Sequence, residues 1–174
     1  MMRIAIAVAF LSTFLLAPAF AGEECCPTAG PEHEKLWFFI GEWTGEENWT
    51  ATESSPMSGK AQCTWDAHRT MAGMFVEMGY TTKMEQDFQY EGKAILGYDA
   101  AKKTYKMWWF DASGACNEPS IGTWNGSALV FDGAGECGGV AYKARYTYEI
   151  KGHNEFTFSM AMAAPTGEYV PMMT

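Results

Sequence analysis

The chain has 174 residues, of which 48% are hydrophobic, 15% aromatic and 19% charged, and its formal charge is −9. That length and apolar fraction suit one domain with a sizeable core, and they disfavour two domains, a collagen-like repeat or a disordered acidic tail. The negative balance comes without a basic run, so nothing resembles a surface built to neutralise phosphates, and nucleic acid is not an expected partner.

Arg3 supplies a positive start, Ile4 to Leu16 is apolar and uncharged, and Ala19-Phe20-Ala21 offers the small residues that a signal peptidase reads. Residues 1–21 are therefore expected to be a cleaved signal peptide, and the product to be exported, periplasmic or extracellular. The apolar stretch falls short of the roughly 20 residues a bilayer span needs and is interrupted by Pro18, so no membrane span is expected after cleavage. Cys25 follows Gly22-Glu23-Glu24, which is not the small apolar triplet of a lipoprotein.

Residues 22–30 form a short segment carrying Cys25 and Cys26, and residues 31–174 are expected to be a single domain. All five cysteines lie beyond the leader, so disulfides are permitted, and the odd count leaves at least one unpaired or bridged to another chain. No C-x-x-C spacing points to a thiolate metal site, and none is assigned.

Pro31 to Ile40 reads as the one helix: proline opens it, Glu32 and Glu34 occupy the first turn, apolar residues follow at helical spacing, and Gly41 ends it. Everything afterwards reads as short strands separated by Gly, Asn, Asp or Lys clusters, with the clearest period-2 alternation at Val140–Ile150 and Phe156–Met162. Strands are expected at Trp43–Thr50, Lys60–Arg69, Met74–Thr81, Tyr90–Tyr98, Thr104–Asp111, Ser120–Trp124, Ala128–Asp132, Val140–Ile150, Phe156–Met162 and near Glu168–Met173. Asn125-Gly126 marks a two-residue hairpin turn. Short strands joined by hairpin-length connections with one apolar face predict an all-β, up-and-down barrel of about 8–10 antiparallel strands; a sandwich is the alternative. In such a meander the loops carrying Cys116 and Cys137 are separated by two strands and a tight turn, hence share one end, and a Cys116–Cys137 disulfide is expected.

Gly41-Glu42-Trp43-Thr44-Gly45 is similar to the G-x-W-x-G that opens lipocalin and nitrobindin-type barrels. Gly97-Tyr98-Asp99, followed by Tyr105, Trp109 and Asp111, resembles the G-Y-D and Y-x-x-x-W-x-D pattern of the bacterial domain-of-unknown-function family numbered fifteen seventy-nine. With Pro31-Glu32-His33 the resemblance extends from the helix to Met172-Met173. It implies a lipocalin-like, calycin-type barrel with a tryptophan plugging one end, and it implies no activity. It also implies a last strand ending in an aromatic-x-Arg, a pattern the sequence to Thr174 does not contain.

A small hydrophobic or aromatic molecule is the expected partner. Trp43, Val76, Met78, Tyr98, Trp109, Tyr146, Tyr148, Phe158 and Met160 are the candidate pocket residues, with Met74, Leu96 and Phe156 beside them; the alternative is that they simply fill a small barrel. Nitrobindin-like barrels hold haem through a histidine, and His33, His68 and His153 are all read as solvated or locally bonded, none on an apolar inward face. Met160, Met162, Met172 and Met173 raise copper(I), against simple packing. No catalytic residue is assigned: Asp99 and Asp111, with Glu77, Glu91 or Glu118, could form an acid–base pair, but both aspartates also suit turns and strand ends. If Tyr105, Met107 and Trp109 point inward, Trp108 and Phe110 form an outward aromatic pair that the helix or a homodimer would cover.

Overall fold

A computed structural model describes residues 28–52, 57–84, 89–114, 117–137, 140–164 and 166–174. The expected leader, Cys25, Cys26, Cys116 and the side chain of Cys137 lie outside the described residues.

The leading helix is shorter than its sequence pattern: α1 covers Pro31–Leu36 and passes into a single 3₁₀ turn at Trp37–Phe39. At its start the Gly30 N–H donates to His33 Nδ1 at 3.1 Å while the His33 N–H donates to the Gly30 carbonyl at 2.9 Å, so a histidine fills the place a glutamate takes in a capping box. The tightening has a packing reason. Residues three apart eclipse in a 3₁₀ turn, which drops Leu36 and Phe39 together into the barrel mouth, both fully buried. The Trp37 indole then reaches the Gly73 carbonyl at 3.2 Å, and the Arg69 guanidinium stacks 4.7 Å over its ring.

Ten strands follow: β1 (Gly41–Trp49), β2 (Gly59–Thr70), β3 (Phe75–Met84), β4 (Gln89–Asp99), β5 (Thr104–Asp111), β6 (Ser120–Asn125), β7 (Ala128–Cys137), β8 (Val140–Gly152), β9 (Glu155–Ala163) and β10 (Tyr169–Met173). Each pairs antiparallel with the next, and β10 returns to β1, so the meander closes into a barrel and leaves no sandwich. No helix among the described residues is long and apolar enough to cross a membrane.

The period-2 pattern sets the inward face. Trp43 lies opposite Trp65, Trp65 opposite Tyr80, and Tyr80 opposite Gly92. Across the barrel Leu129 faces Tyr148, which faces Phe158. The turn at the β6–β7 hairpin is displaced by one residue from its sequence signal: Asn125 pairs with Ala128, and Gly126-Ser127 make the turn, with Gly126 at φ +61° as a II′ turn demands of its first central residue. Met74, expected to open a strand, instead ends a 3₁₀ turn over Met71–Gly73, whose Gly73 carbonyl is the acceptor for Trp37. The outward Trp108 packs against Phe75, ring centroids 6.2 Å apart, and Phe110 stays 39% exposed.

Closure is uneven along one seam. Among the described residues β1 meets β10 only at its far end, where Trp49 pairs with Met173 and Asn48 exchanges backbone hydrogen bonds with Thr174 at 2.6 and 3.1 Å. Toward α1, the stretch from Trp43 to Glu47 forms a ladder with β2 alone.

Candidate functional site

A cavity of about 280 Å³ lies at this seam, between β1 and β9. Its inner wall is aromatic, with Trp43, Trp65, Phe156 and Phe158, and it runs to Glu47 and Cys63; Met173 and Thr174 bound its far end, and Glu46 and Glu155 its rim. Trp43 is fixed by donating its indole N–H to the Phe39 carbonyl at 2.9 Å and by Phe156, 4.9 Å away edge-on. This is the plug of the barrel end that the G-x-W-x-G resemblance implies.

Glu47 is only 4% exposed, although it is a carboxylate on the inward face of a strand. Strand alternation places it there: Trp43, Gly45, Glu47 and Trp49 share one phase of β1. Three donors compensate its removal from water. Tyr80 donates to Oε1 at 2.5 Å, and Thr82 and Trp49 donate to Oε2 at 2.9 and 3.1 Å. An indole N–H can only donate, and three convergent donors suit an ionised carboxylate, which has room for about four. Among the described residues no cation is paired with it; the five ion pairs lie elsewhere.

Cys63 stands beside this carboxylate, its Sγ over Gly45, where an added Cβ would lie 3.2 Å away. It is a free, buried thiol. Burial, then the Glu47 charge and a hydrogen bond from the thiol to that carboxylate, push its pKa up to about 12, so it persists as S–H and is a poor nucleophile. Burial likewise raises the Tyr80 phenol, with the hydrogen bond to Glu47 acting the same way, so Tyr80 remains a donor.

A second inward polar group closes the same end of the barrel. Asp111 accepts from Tyr90 at 2.8 Å, from the Trp109 indole at 3.1 Å and from the Ser113 backbone at 2.8 Å, with the Ser113 hydroxyl also donating. Burial alone would raise its pKa, but these donors outweigh it and hold the carboxyl below its usual range. Gly92 makes the cluster possible, because a Cβ there would lie 2.3 Å from the Trp109 ring.

The residues of the G-Y-D and Y-x-x-x-W-x-D pattern thus fasten the β4–β5 hairpin. Asp99 binds Lys106 at 2.8 Å and caps the turn through the Lys102 N–H at 3.0 Å. Tyr98 meets His33 edge-on at 5.6 Å, and Tyr105 donates to Glu32, tying the helix to the barrel. Asp99 and Asp111 sit at opposite ends of this hairpin, about 23 Å apart at the rise of a strand, whereas paired catalytic carboxylates need roughly 5–10 Å. Glu77 is engaged outside with Lys93 at 2.6 Å, and Glu91 and Glu118 are exposed.

Of the pocket residues read from the sequence, Trp43 and Phe158 line the cavity, and Phe156 joins them. Val76, Met78, Leu96 and Tyr148 are fully buried filling. Tyr98, Trp109 and Tyr146 pack against that core, and Met160 pairs with Met173. His68 and His153 are exposed, as expected. His33 is locally bonded through Nδ1, but contrary to its reading as lying off every apolar face it is buried against Tyr98, with no partner on Nε2. Glu47, Trp65, Tyr80 and Thr82 were not singled out by pattern reading. One signal was present: a charge at an inward position of a strand whose neighbours in phase are Trp43, Gly45 and Trp49.

An antiparallel meander of ten strands, closed on itself and stoppered by one short helix, defines a calycin-like barrel. The chain belongs to the family described as Protein of unknown function (DUF1579), which matches residues 28–174 and so takes in the helix and every strand. No curated protein matches the sequence.

Proposed function

We propose that this is an exported, non-catalytic barrel that binds one small molecule with an apolar or aromatic body in the cavity at the β1–β9 seam. The observation that carries the reading is the cavity itself: about 280 Å³, walled by Trp43, Trp65, Phe156 and Phe158, and ending on a buried carboxylate. Drug-sized pockets begin at roughly 300 Å³, so the ligand is small. Much of the barrel interior is filled by side chains such as Val76, Leu96 and Tyr148, which supports the seam as the binding place. Export is supported by the leader pattern of residues 1–21. A role without catalysis is supported by the protonated Cys63 thiol and by the wide separation of Asp99 from Asp111.

The test is a native mass spectrum of the protein purified from the compartment to which it is exported, beside its denatured mass. A discrete added mass that disappears on denaturation supports binding and begins to identify the ligand. A bare monomer, with no change in tryptophan fluorescence on adding small aromatic probes, would remove the proposal.

A further inference from the structure

Resting on that reading of the cavity, we infer that the ligand is a protonated amine, its ammonium group received by Glu47 and its apolar body by the surrounding rings. Three observations converge. The Glu47 carboxylate is almost wholly withdrawn from water, and a buried charge is costly unless paired. Its hydrogen-bond partners Tyr80, Thr82 and Trp49, and the Cys63 thiol beside it, are all neutral, so its charge is solvated by dipoles but not neutralised. Of the carboxylate's roughly four acceptor positions the fourth meets only the weak Cys63 S–H donor, which an ammonium can displace.

The walls favour the same ligand. Trp43 and Trp65 line the cavity, and an indole ring attracts a cation to its face, the more so in a desolvated site. Glu46 and Glu155 at the rim, on a chain of charge −9, draw cations and repel anions before contact. A neutral apolar molecule would gain the rings but leave the carboxylate unpaired. An acid would bring a second negative charge to the first. Cys63, kept as a thiol hydrogen-bonded to Glu47, is a weak neutral donor and no competing cation.

The experiment is calorimetric titration of the full protein at neutral pH with 2-phenylethylamine, 2-phenylethanol and phenylacetate, which share one body and differ in head group. The expected order is amine first by at least about tenfold over the alcohol, with the carboxylate weakest. In Glu47→Gln the amine and the alcohol are expected to bind within about threefold of one another, because charge assistance is lost while one acceptor remains. Alcohol binding equal to that of the amine in the unaltered protein, or preferred phenylacetate, overturns the amine assignment and leaves the apolar cavity reading standing. Binding of none of the three overturns both. The comparison in the unaltered protein needs no variant, so a misfolded Glu47→Gln does not obscure the result.

Discussion

Tyr80 on β3 donates its phenolic hydroxyl to the Glu47 carboxylate on β1 at 2.5 Å, across 33 residues of sequence and inside the barrel wall. β2 lies between the two strands, and the bond passes over Cys63 and Trp65, which fill β2 at that level. This pair, with Thr82 and Trp49, is the polar element on which the first three strands are closed.

Removing one partner of such a set costs more than the set contributes, because the others are left buried and unsatisfied. Glu47→Ala strands the Tyr80, Thr82 and Trp49 donors and is expected to destabilise the fold by about 3 kcal/mol, measured by denaturant unfolding. Tyr80→Phe removes one donor of three and is expected to cost about 1–2 kcal/mol. Glu47→Ala with unchanged stability would mean that the carboxylate is not held as described.

Alkaline pH acts on the same cluster. Burial first, and then the charge of Glu47, raise Cys63 to about 12; burial and then the hydrogen bond to Glu47 lift Tyr80 further, while burial also raises Tyr90, Tyr105, Tyr146 and Tyr148. A group whose folded pKa lies above its unfolded value stabilises fully below the unfolded value, and that contribution is lost as pH rises toward the folded one. Thermal stability is therefore expected to hold to about pH 8.5 and then to fall up to about pH 12, each thiol or phenol adding about 1.4 kcal/mol per pH unit past its unfolded pKa. Cys63→Ala should remove the part of the fall that begins near pH 8.5 and keep the tyrosine part. Native Cys63 should also resist alkylation at pH 8 and react once the protein is unfolded.

Strand positions were readable because most alternate apolar and polar side chains, and nine of the ten pairings follow the chain order that hairpin-length connections impose, the tenth being the closure of β10 on β1. Local spacing carries much less about the ends and the seam. The helix pattern runs on through Trp37–Phe39 although the backbone tightens there, because the reason is the barrel mouth receiving Phe39. Pocket residues chosen for apolar character, Val76 and Tyr148 among them, proved to be filling. What separates a wall from a filling is the uneven closure of β1 on β10, a long-range relation that no window of sequence contains.

Glycines on the inward face mark where an aromatic ring lies flat on a neighbouring strand. Gly122 on β6 is buried, and a Cβ there would lie 2.4 Å from the Phe131 ring on β7, itself fully buried. Phe131 has little room to retreat, since it meets Tyr148 edge-on at 6.2 Å. Gly122→Ala is expected to cost about 1–3 kcal/mol by overpacking. The double change Gly122→Ala with Phe131→Leu should recover part of that loss, and a neutral Gly122→Ala would show that the ring does not lie over the glycine.

Asn117 and Glu136 report on the expected disulfide from its flanks. Asn117 follows Cys116 and Glu136 precedes Cys137, and the Glu136 N–H donates to Asn117 Oδ1 at 3.2 Å while Asn117 Nδ2 donates to Tyr142 at 3.2 Å. Gly135 leaves the space for that side chain, a Cβ there falling 2.6 Å from Asn117 Cγ. The β5–β6 loop is therefore fastened at Asn117 onto the end of β7. An oxidised protein is expected to yield a peptide joining Cys116 to Cys137 in a non-reducing map, and Cys116→Ser with Cys137→Ser to lose about 3 kcal/mol, the loop entropy that such a bridge removes from the unfolded chain. Free alkylation of both cysteines in the native protein would sink the pairing.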